Sequence, residues 1–215
     1  MSSSQPQSSP CSHVTSTSSS NPFATRWIQP GAINFQFPVG ESLSQLIERL
    51  VANRWQGQIV GPHGSGKSTL LSNLMPALRD SGRDVRRFHL QVGQRVLPVS
   101  DDEIGGWSPQ TLVVVDGYEQ LSWWQRWRLR RDCRVRGAGL LVTTHRPTRL
   151  PLLAQTSTSV TLLRQLVTVL LERHPNGIEL ADADVVRAFE SHRGNLREAL
   201  LELYDVYQQQ HDVTS

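Results

Sequence analysis

The sequence is almost without lysine: of its 22 basic residues, all but one are arginine, and the single lysine is Lys67. Cysteine is nearly as scarce, since the chain contains only Cys11 and Cys133. No cysteines and histidines have the spacing of a zinc site, and a structural disulfide is not expected because one cysteine lies in a polar N-terminal segment. The scarcity of lysine raises the question of what position 67 requires that arginine cannot supply.

Long hydrophobic runs are also missing, since no stretch approaches the roughly 18 apolar residues of a membrane-spanning helix. Residues 1–22 are mainly serine, threonine and proline, without the basic start and apolar run of a secretory signal. A segment with so little to bury is predicted to be a disordered tail. The tail has no arginine, which argues against a transit peptide. We therefore expect a soluble, cytoplasmic protein with no membrane partner.

The charge is only mildly basic, with a formal net charge of +3 and a sequence pI of about 9.3. The basic residues are concentrated, however, because 126–136 holds six arginines and one aspartate. A helical face of this kind can meet nucleic-acid phosphates or a protein partner. The other interpretation is a solvated helix whose tryptophans pack on the sheet. The residues on this predicted face are Arg126, Arg130, Arg134, Trp123 and Trp127.

Hydrophobic periodicity predicts strands that alternate with helices. The spacing of leucines predicts a first helix near 42–54, with Ser42 as its N-cap. Beyond it we expect further helices at 68–80 and 121–136, and strands ending at 60 and lying at 85–92, 111–116, 139–144 and 157–161. Such alternation predicts an α/β fold with a parallel sheet covered by helices.

The pattern changes after residue 161, where three helical segments follow one another at 162–174, 181–193 and 195–210. We therefore divide the chain into the tail 1–22, an α/β domain at 23–161, a helical region at 162–210 and a short C-terminal tail at 211–215.

The single lysine lies in a glycine-rich loop, GPHGSGKST, between a predicted strand and a predicted helix. The loop fits G-x-x-x-x-G-K-[ST], in which glycines let backbone N–H groups curl around a phosphate. Lys67 can reach β- and γ-phosphates as a compact charge, whereas the planar fork of arginine is too bulky for such a nest. The candidate phosphate-binding residues are Gly61, Pro62, His63, Gly64, Ser65, Gly66, Lys67, Ser68 and Thr69.

Polar residues at the ends of the later strands complete the predicted site. Asp116 can hold Mg²⁺ together with the Ser68 hydroxyl, or it can simply cap the next helix. Glu119 can orient an attacking water, or serve as an acidic residue at a helix start. Thr143 and Thr144 point to opposite faces of their strand, and we predict that Thr144 senses the γ-phosphate.

The last helix begins with Asn195, a good N-cap, and places Arg197 in its first turn. A cation is unfavourable there against the helix dipole, which indicates an anionic partner for Arg197. The other interpretation is an ion pair with Glu198 or Glu202. Two further arginines that can contact phosphate or remain solvated follow the strand at 139–144, namely Arg146 and Arg149.

These residues resemble the AAA+ and STAND-type P-loop ATPases over about residues 40–210. GPHGSGKS looks like the Walker A motif, LVVVD like Walker B, TTHR like the sensor-1 region and GNLRE like the sensor-2 motif. The resemblance implies a three-layer α/β/α P-loop NTPase fold with strand order 5-1-4-3-2 and a three-helix lid. It also implies that ATP binds between sheet and lid, that Arg197 contacts the nucleotide, and that Phe23–Phe37 lies near the adenine.

The sequence departs from the AAA+ pattern at Gly117, where those proteins usually place a catalytic glutamate. An acid at Glu119 is closer to the NACHT-like STAND pattern. The function expected is an Mg²⁺-dependent ATPase that couples nucleotide state to lid movement and to a macromolecular partner, with possible self-association. One alternative is a nucleotide-gated switch with little hydrolysis. The other is a small-molecule or nucleoside kinase, which would need a substrate-binding insertion between strands.

Overall fold

Five parallel strands form a single sheet in the computed structural model, which describes residues 21–25, 29, 33–37, 40–172 and 180–214. The strands are β1 Gln56–Val60, β2 Asp84–His89, β3 Thr111–Asp116, β4 Gly139–Thr144 and β5 Leu152–Gln155. Their order is β2-β3-β4-β1-β5. Read from the other edge this is 5-1-4-3-2, so the expected strand order is confirmed.

Seven α-helices accompany the sheet in the described part of the chain. They are α1 Leu43–Ala52, α2 Lys67–Asp80, α3 Asp101–Gly105, α4 Trp123–Arg136, α5 Val160–Glu172, α6 Asp182–Ser191 and α7 Leu196–Thr214. A short 3₁₀ helix, Tyr118–Gln120, follows β3. Among these helices, none is sufficiently long and apolar to cross a membrane.

The sheet is covered on both faces, because its central strands are buried at successive positions and not only at alternate ones. On β3, Leu112 and Val114 pack with α1 and α2, whereas Val113 and Val115 pack on the opposite side with α4. Continuous apolar strands of this kind are expected when both faces are buried. Full burial of each such side chain contributes about 1.5–3 kcal/mol. The arrangement is compatible with a three-layer α/β/α fold.

Helices α5, α6 and α7 share an apolar cluster of their own, which includes Leu163, Val185 and Leu203. Phe23 is fully buried in this cluster and meets Tyr207 edge to face, with 5.9 Å between ring centroids. Phe23, in the segment before the first helix, therefore packs against the three helices that follow the sheet.

The element boundaries correct the sequence predictions at both ends of the helical region. A fifth strand at 157–161 is wrong: β5 ends at Gln155, the Thr156 N–H still donates to the Val60 carbonyl, and Val160 already begins α5. Helix α7 continues to Thr214, into the predicted C-terminal tail. The predicted break at 175–177 lies outside the described residues.

The predicted N-terminal tail lies outside the described residues except for its last two, Asn21 and Pro22. Both are buried, and the Asn21 side-chain amide donates to the Tyr204 carbonyl at 3.0 Å. The packed part of the chain therefore includes two residues that the sequence assigned to the tail.

Candidate functional site

Most of the predicted site residues converge on one cavity of about 590 Å³ at the carboxyl ends of β1, β3 and β4. In open parallel sheets ligands bind outside these strand ends, because the loops that follow them meet there. The lining includes the loop from His63 to Thr69, the turn after β3, the first turn of α7 and the segment at 33–36. The site is thus built from several parts of the chain that are far apart in sequence.

The glycine-rich loop depends on glycine where other residues approach it closely. Gly64 and Gly66 have φ values of 67° and 84°, in the left-handed region that side chains disfavour. A Cβ on Gly64 would lie 1.9 Å from Asn195 Oδ1, and one on Gly61 would lie 2.1 Å from Thr156 Oγ1. The loop is therefore packed tightly between the end of β5 and the start of α7.

Helix α2 begins directly after Gly66, which offers no side chain to cap it. The first N–H groups of a helix have no acceptor within the helix, and they carry the positive end of its dipole. A terminus of this kind is an anion-binding site when basic side chains stand beside it.

Lys67 supplies that basic group from inside the loop. Its Nζ donates to the carbonyl oxygens of Gly61 and Pro62 at 2.8 and 2.6 Å, and the residue is only 8% exposed. Burial lowers the pKa of Lys67, while the nearby carboxylates of Glu119 and Asp116 act in the opposite direction. Gly61 and Pro62 do not belong to the described cavity lining and serve instead to hold the ammonium group.

Asp116, 3% exposed at the end of β3, is brought next to Ser68 as predicted. The Ser68 hydroxyl donates to Asp116 Oδ1 at 3.1 Å, and His89 Nδ1 lies 3.3 Å from Oδ2. The described residues hold no cluster of three or more His, Cys, Asp or Glu side chains that would bind a metal unaided. A hydroxyl and one carboxylate fit Mg²⁺ held jointly with phosphate oxygens, which is its usual mode of binding.

At the end of β4, the threonine that lines this cavity is Thr143. The prediction that Thr144 faces the site is wrong. Thr143 Oγ1 donates to Asp116 Oδ1 at 2.6 Å and accepts from the Gly117 N–H at 2.9 Å. Thr144 points the other way and donates to the Arg146 carbonyl. The alternation of side chains along a strand makes the two positions mutually exclusive.

Glu119 reaches the cavity because the chain turns sharply at Gly117. That glycine has a φ of 87°, and a Cβ there would lie 2.9 Å from the Leu90 carbonyl oxygen. Burial raises the pKa of Glu119, and the nearby charges of Lys67 and His63 partly offset this effect. Glu119 Oε2 is buried without a hydrogen-bond partner. A buried carboxylate oxygen left unpaired in this way is suited to accept from a water molecule or a ligand.

Histidines complete the surroundings of Glu119, and their role was not evident from the sequence. His145 Nε2 lies 2.5 Å from Glu119 Oε1, and its ring meets His63 with 3.6 Å between centroids. Burial, together with the charges of Lys67 and His63, lowers the pKa of His145 to about 4. At neutral pH His145 is therefore an uncharged hydrogen-bond donor that orients Glu119.

The depressed pKa of His145 makes the stability of the fold dependent on pH. Between about pH 4 and pH 6.5 the unfolded chain binds a proton at this position that the folded chain does not. Stability is therefore lost as the pH falls through this window. We expect the thermal midpoint of the wild type to fall more steeply there than that of His145→Gln, which retains an N–H donor.

Thermal melts over this pH range, followed by circular dichroism, test the expectation. Parallel melting curves for the wild type and His145→Gln would show that His145 titrates normally.

The first turn of α7 brings Arg197 to the cavity lining, where its side chain is exposed. Asn195 caps the helix as predicted, accepting from the Glu198 N–H at 3.4 Å. The expected alternative, an ion pair between Arg197 and Glu202, is not formed, because Glu202 pairs with His192 at 2.9 Å. Within the described ranges Arg197 has no carboxylate partner.

Part of the cavity lining is apolar, including Ile33, Phe35 and, from α5, Leu162 and Leu166. The Phe35 N–H donates to Asn73 Oδ1 at 2.6 Å, and a Cβ on Gly66 would lie 3.4 Å from the Phe35 ring. Phe35 therefore lies beside the glycine-rich loop, and the predicted adenine segment contributes to the cavity where it is described.

Two other predicted phosphate contacts lie elsewhere. Arg146 and Arg149 are exposed, and neither belongs to the described lining of the cavity. Arg149 lines a second groove beside α4 instead.

No protein-family model matches the chain, and no curated protein sequence matches it either. The function must therefore be inferred from the residues of the site and from their geometry.

Proposed function

We propose that this protein is an Mg²⁺-dependent ATPase of the P-loop NTPase class, in which the cavity binds ATP between the sheet and helices α5–α7. The observation that carries the proposal is the convergence of Lys67, Ser68, Asp116 and Glu119 on the cavity at the strand ends. A glycine-rich turn alone would account for the loop. It would not account for a buried ammonium group, a hydroxyl–carboxylate pair and an unpaired carboxylate oxygen around it.

The phosphates would lie against the loop and the first turn of α2. Lys67 would exchange its two backbone carbonyl partners for β- and γ-phosphate oxygens, which are stronger acceptors because they are charged. Ser68 and Asp116 would hold Mg²⁺, and Thr143 keeps the Asp116 carboxylate oriented through its hydrogen bond. The ion would neutralise charge on the phosphates.

Hydrolysis would use Glu119 as the general base. A water bound at Oε2 would attack the γ-phosphorus while the bond to the β–γ bridging oxygen breaks, and Glu119 would accept the proton that the water loses. The raised pKa of Glu119 makes its carboxylate a stronger base than an ordinary glutamate, which suits it to accept that proton. His145 would position the carboxylate by donating to its other oxygen.

The base would pack against the apolar side chains of the cavity, namely Phe35 and the leucines of α5. Because the cavity is closed on one side by α5 and α7, the nucleotide would link these helices to the sheet. We propose that Arg197 contacts the terminal phosphates, so that the position of the helical region follows the state of the nucleotide and is transmitted to a macromolecular partner.

Replacement of Arg197 by alanine is expected to weaken ATP binding about tenfold and to leave AMP binding unchanged, since only the triphosphate extends to the guanidinium. Competition titrations with a fluorescent ATP analogue measure both affinities. Arg79→Ala, an exposed arginine at the far end of α2, is the matched control. Equal losses for ATP and AMP would assign Arg197 a structural role.

Release of inorganic phosphate from ATP, measured with Mg²⁺ and with EDTA, tests the proposed reaction. Mg²⁺-dependent release supports the ATPase. Tight ATP binding without release would favour the alternative of a nucleotide-gated switch, and release only with an added hydroxylated acceptor would favour a kinase. A rate per molecule that rises steeply with protein concentration would indicate self-association.

A further inference from the structure

A second groove of about 520 Å³ lies beside α4, away from the nucleotide cavity. One wall is the face of α4, the other is the segment at 147–149, and Tyr118 lies at the base. The groove contains aromatic rings and guanidinium groups, with no carboxylate in its described lining. The groove lining includes the side chains of Trp123, Trp127, Arg130, Arg134 and Arg149.

The tryptophans of this groove are exposed, contrary to the interpretation that they pack on the sheet. Trp123, Trp124 and Trp127 are 75%, 52% and 50% exposed, because Leu129 and Cys133 form the buried face of α4 instead. Trp124 and Trp127 are stacked, with 4.9 Å between centroids and 21° between planes. An exposed cluster of large aromatic rings marks an interaction site.

The arginines of α4 divide into two groups. Four are engaged within the fold: Arg126 donates to the Glu119 and Leu121 carbonyls, Arg136 to the Gly105 carbonyl, and Arg128 and Arg131 contact Asp132. By contrast, no carboxylate of the described chain pairs with Arg130, Arg134 or Arg149. Arg130 and Arg134, which no carboxylate of the described residues pairs with, thus line the groove together with the tryptophans and with Arg126, Arg131 and Arg149.

We propose that this groove binds single-stranded nucleic acid, with phosphates at Arg130, Arg134 and Arg149 and bases on Trp123 and Trp127. The two tryptophans and the two helical arginines lie at intervals of four, three and four residues, which places them in one stripe along α4. The stripe runs from Trp123 to Arg134, 11 helical steps or about 16 Å. That length accommodates about four or five nucleotides at the B-form spacing.

The arginines favour a polyanion as the bound partner, because their charges need a counter-charge. The exposed tryptophan rings favour a polyanion whose bases are accessible for stacking. An acidic peptide would satisfy the arginines but offers no planar partner for two tryptophans. A duplex keeps its bases stacked on one another, whereas a single strand presents their faces, and base–aromatic stacking is independent of sequence. Single-stranded nucleic acid is therefore the occupant that uses both kinds of side chain.

Fluorescence anisotropy with a labelled oligo(dT) of about ten nucleotides tests the proposal. Arg130→Gln/Arg134→Gln should weaken binding at least tenfold and reduce the slope of log affinity against log salt by about 1.4, because each phosphate contact contributes about 0.7. Arg79→Gln/Arg95→Gln removes the same charge outside the groove and should change affinity by less than about twofold. If the two double variants weakened oligo(dT) binding equally, the proposed binding site would be contradicted.

Trp123→Ala/Trp127→Ala separates stacking from charge. It should weaken oligo(dT) binding by about tenfold for each base released while leaving the salt slope unchanged. Binding of a duplex or of polyglutamate as tightly as oligo(dT) would contradict the proposed occupant. Lys67→Ala should bind oligo(dT) like the wild type, so this result is independent of the ATPase proposal. Circular dichroism confirms folding, which these exposed side chains should not affect.

Discussion

Lys67→Ala is expected to weaken ATP binding by at least about 100-fold, the scale of losing one member of a buried charge pair. The ammonium group is 8% exposed and lies inside the loop, so its charge acts in an environment with little screening by water. Without it, the γ-phosphate would face the loop with backbone N–H groups alone. Titration with a fluorescent ATP analogue measures the loss.

The matched variant for this prediction is Lys67→Arg, which retains the charge. It should also bind poorly, because the guanidinium is a wider planar group and the loop is closed by Asn195 and Thr156 on either side. Thermal melts exclude unfolding as the cause. Near-normal affinity in Lys67→Arg would show that charge alone is required, and near-normal affinity in Lys67→Ala would remove the loop from the binding site.

Glu119→Gln is expected to lower phosphate release by about 100-fold or more, the usual contribution of a general base, while ATP affinity changes by less than about threefold. Glutamine keeps the shape of the side chain and can still contact His145, but it cannot accept the proton of the attacking water. Single-turnover phosphate release with saturating ATP and Mg²⁺ measures the step directly.

The pH profile gives an independent test of the same residue. Because burial raises the pKa of Glu119, the base is protonated at a higher pH than an ordinary glutamate, and turnover should decline as the pH falls through that raised value. The residual activity of Glu119→Gln should lack this decline. Glu48→Gln, an exposed carboxylate on α1 outside the described cavity lining, is the control. Unchanged turnover in Glu119→Gln would contradict the role of general base and would favour the alternative, an acidic residue at a helix start.

Much of the fold was predictable because its signals are local. The apolar runs at 111–116 and 139–144 became β3 and β4 at the predicted residues, and the cap at Ser42 is present, with Ser42 accepting from the Gln45 N–H. The edge strand β5 was misplaced, because four residues pairing with β1 alone leave little sequence pattern. Helix α3 was not predicted for the same reason, since it has only five residues.

The site was predictable where a motif specifies neighbouring residues, and less so where distant parts of the chain meet. The pairing of Ser68 with Asp116 followed from a phosphate loop and from an aspartate that ends a later buried strand. The choice of Thr143 over Thr144 depends on which face of β4 meets the cavity, and the contacts of His145 with His63 and Glu119 join residues from three separate loops. Isolated histidines carry no such information in a sequence.

Isothermal titration calorimetry of ATP into the wild-type protein, with Mg²⁺ and with EDTA, tests the central claim most directly. The proposed site predicts saturable binding of one ATP per chain that is stronger with Mg²⁺, because Ser68 and Asp116 would then share the ion with the phosphates, and much weaker binding of AMP. No saturable heat, or equal affinity for ATP and AMP with and without Mg²⁺, would contradict it.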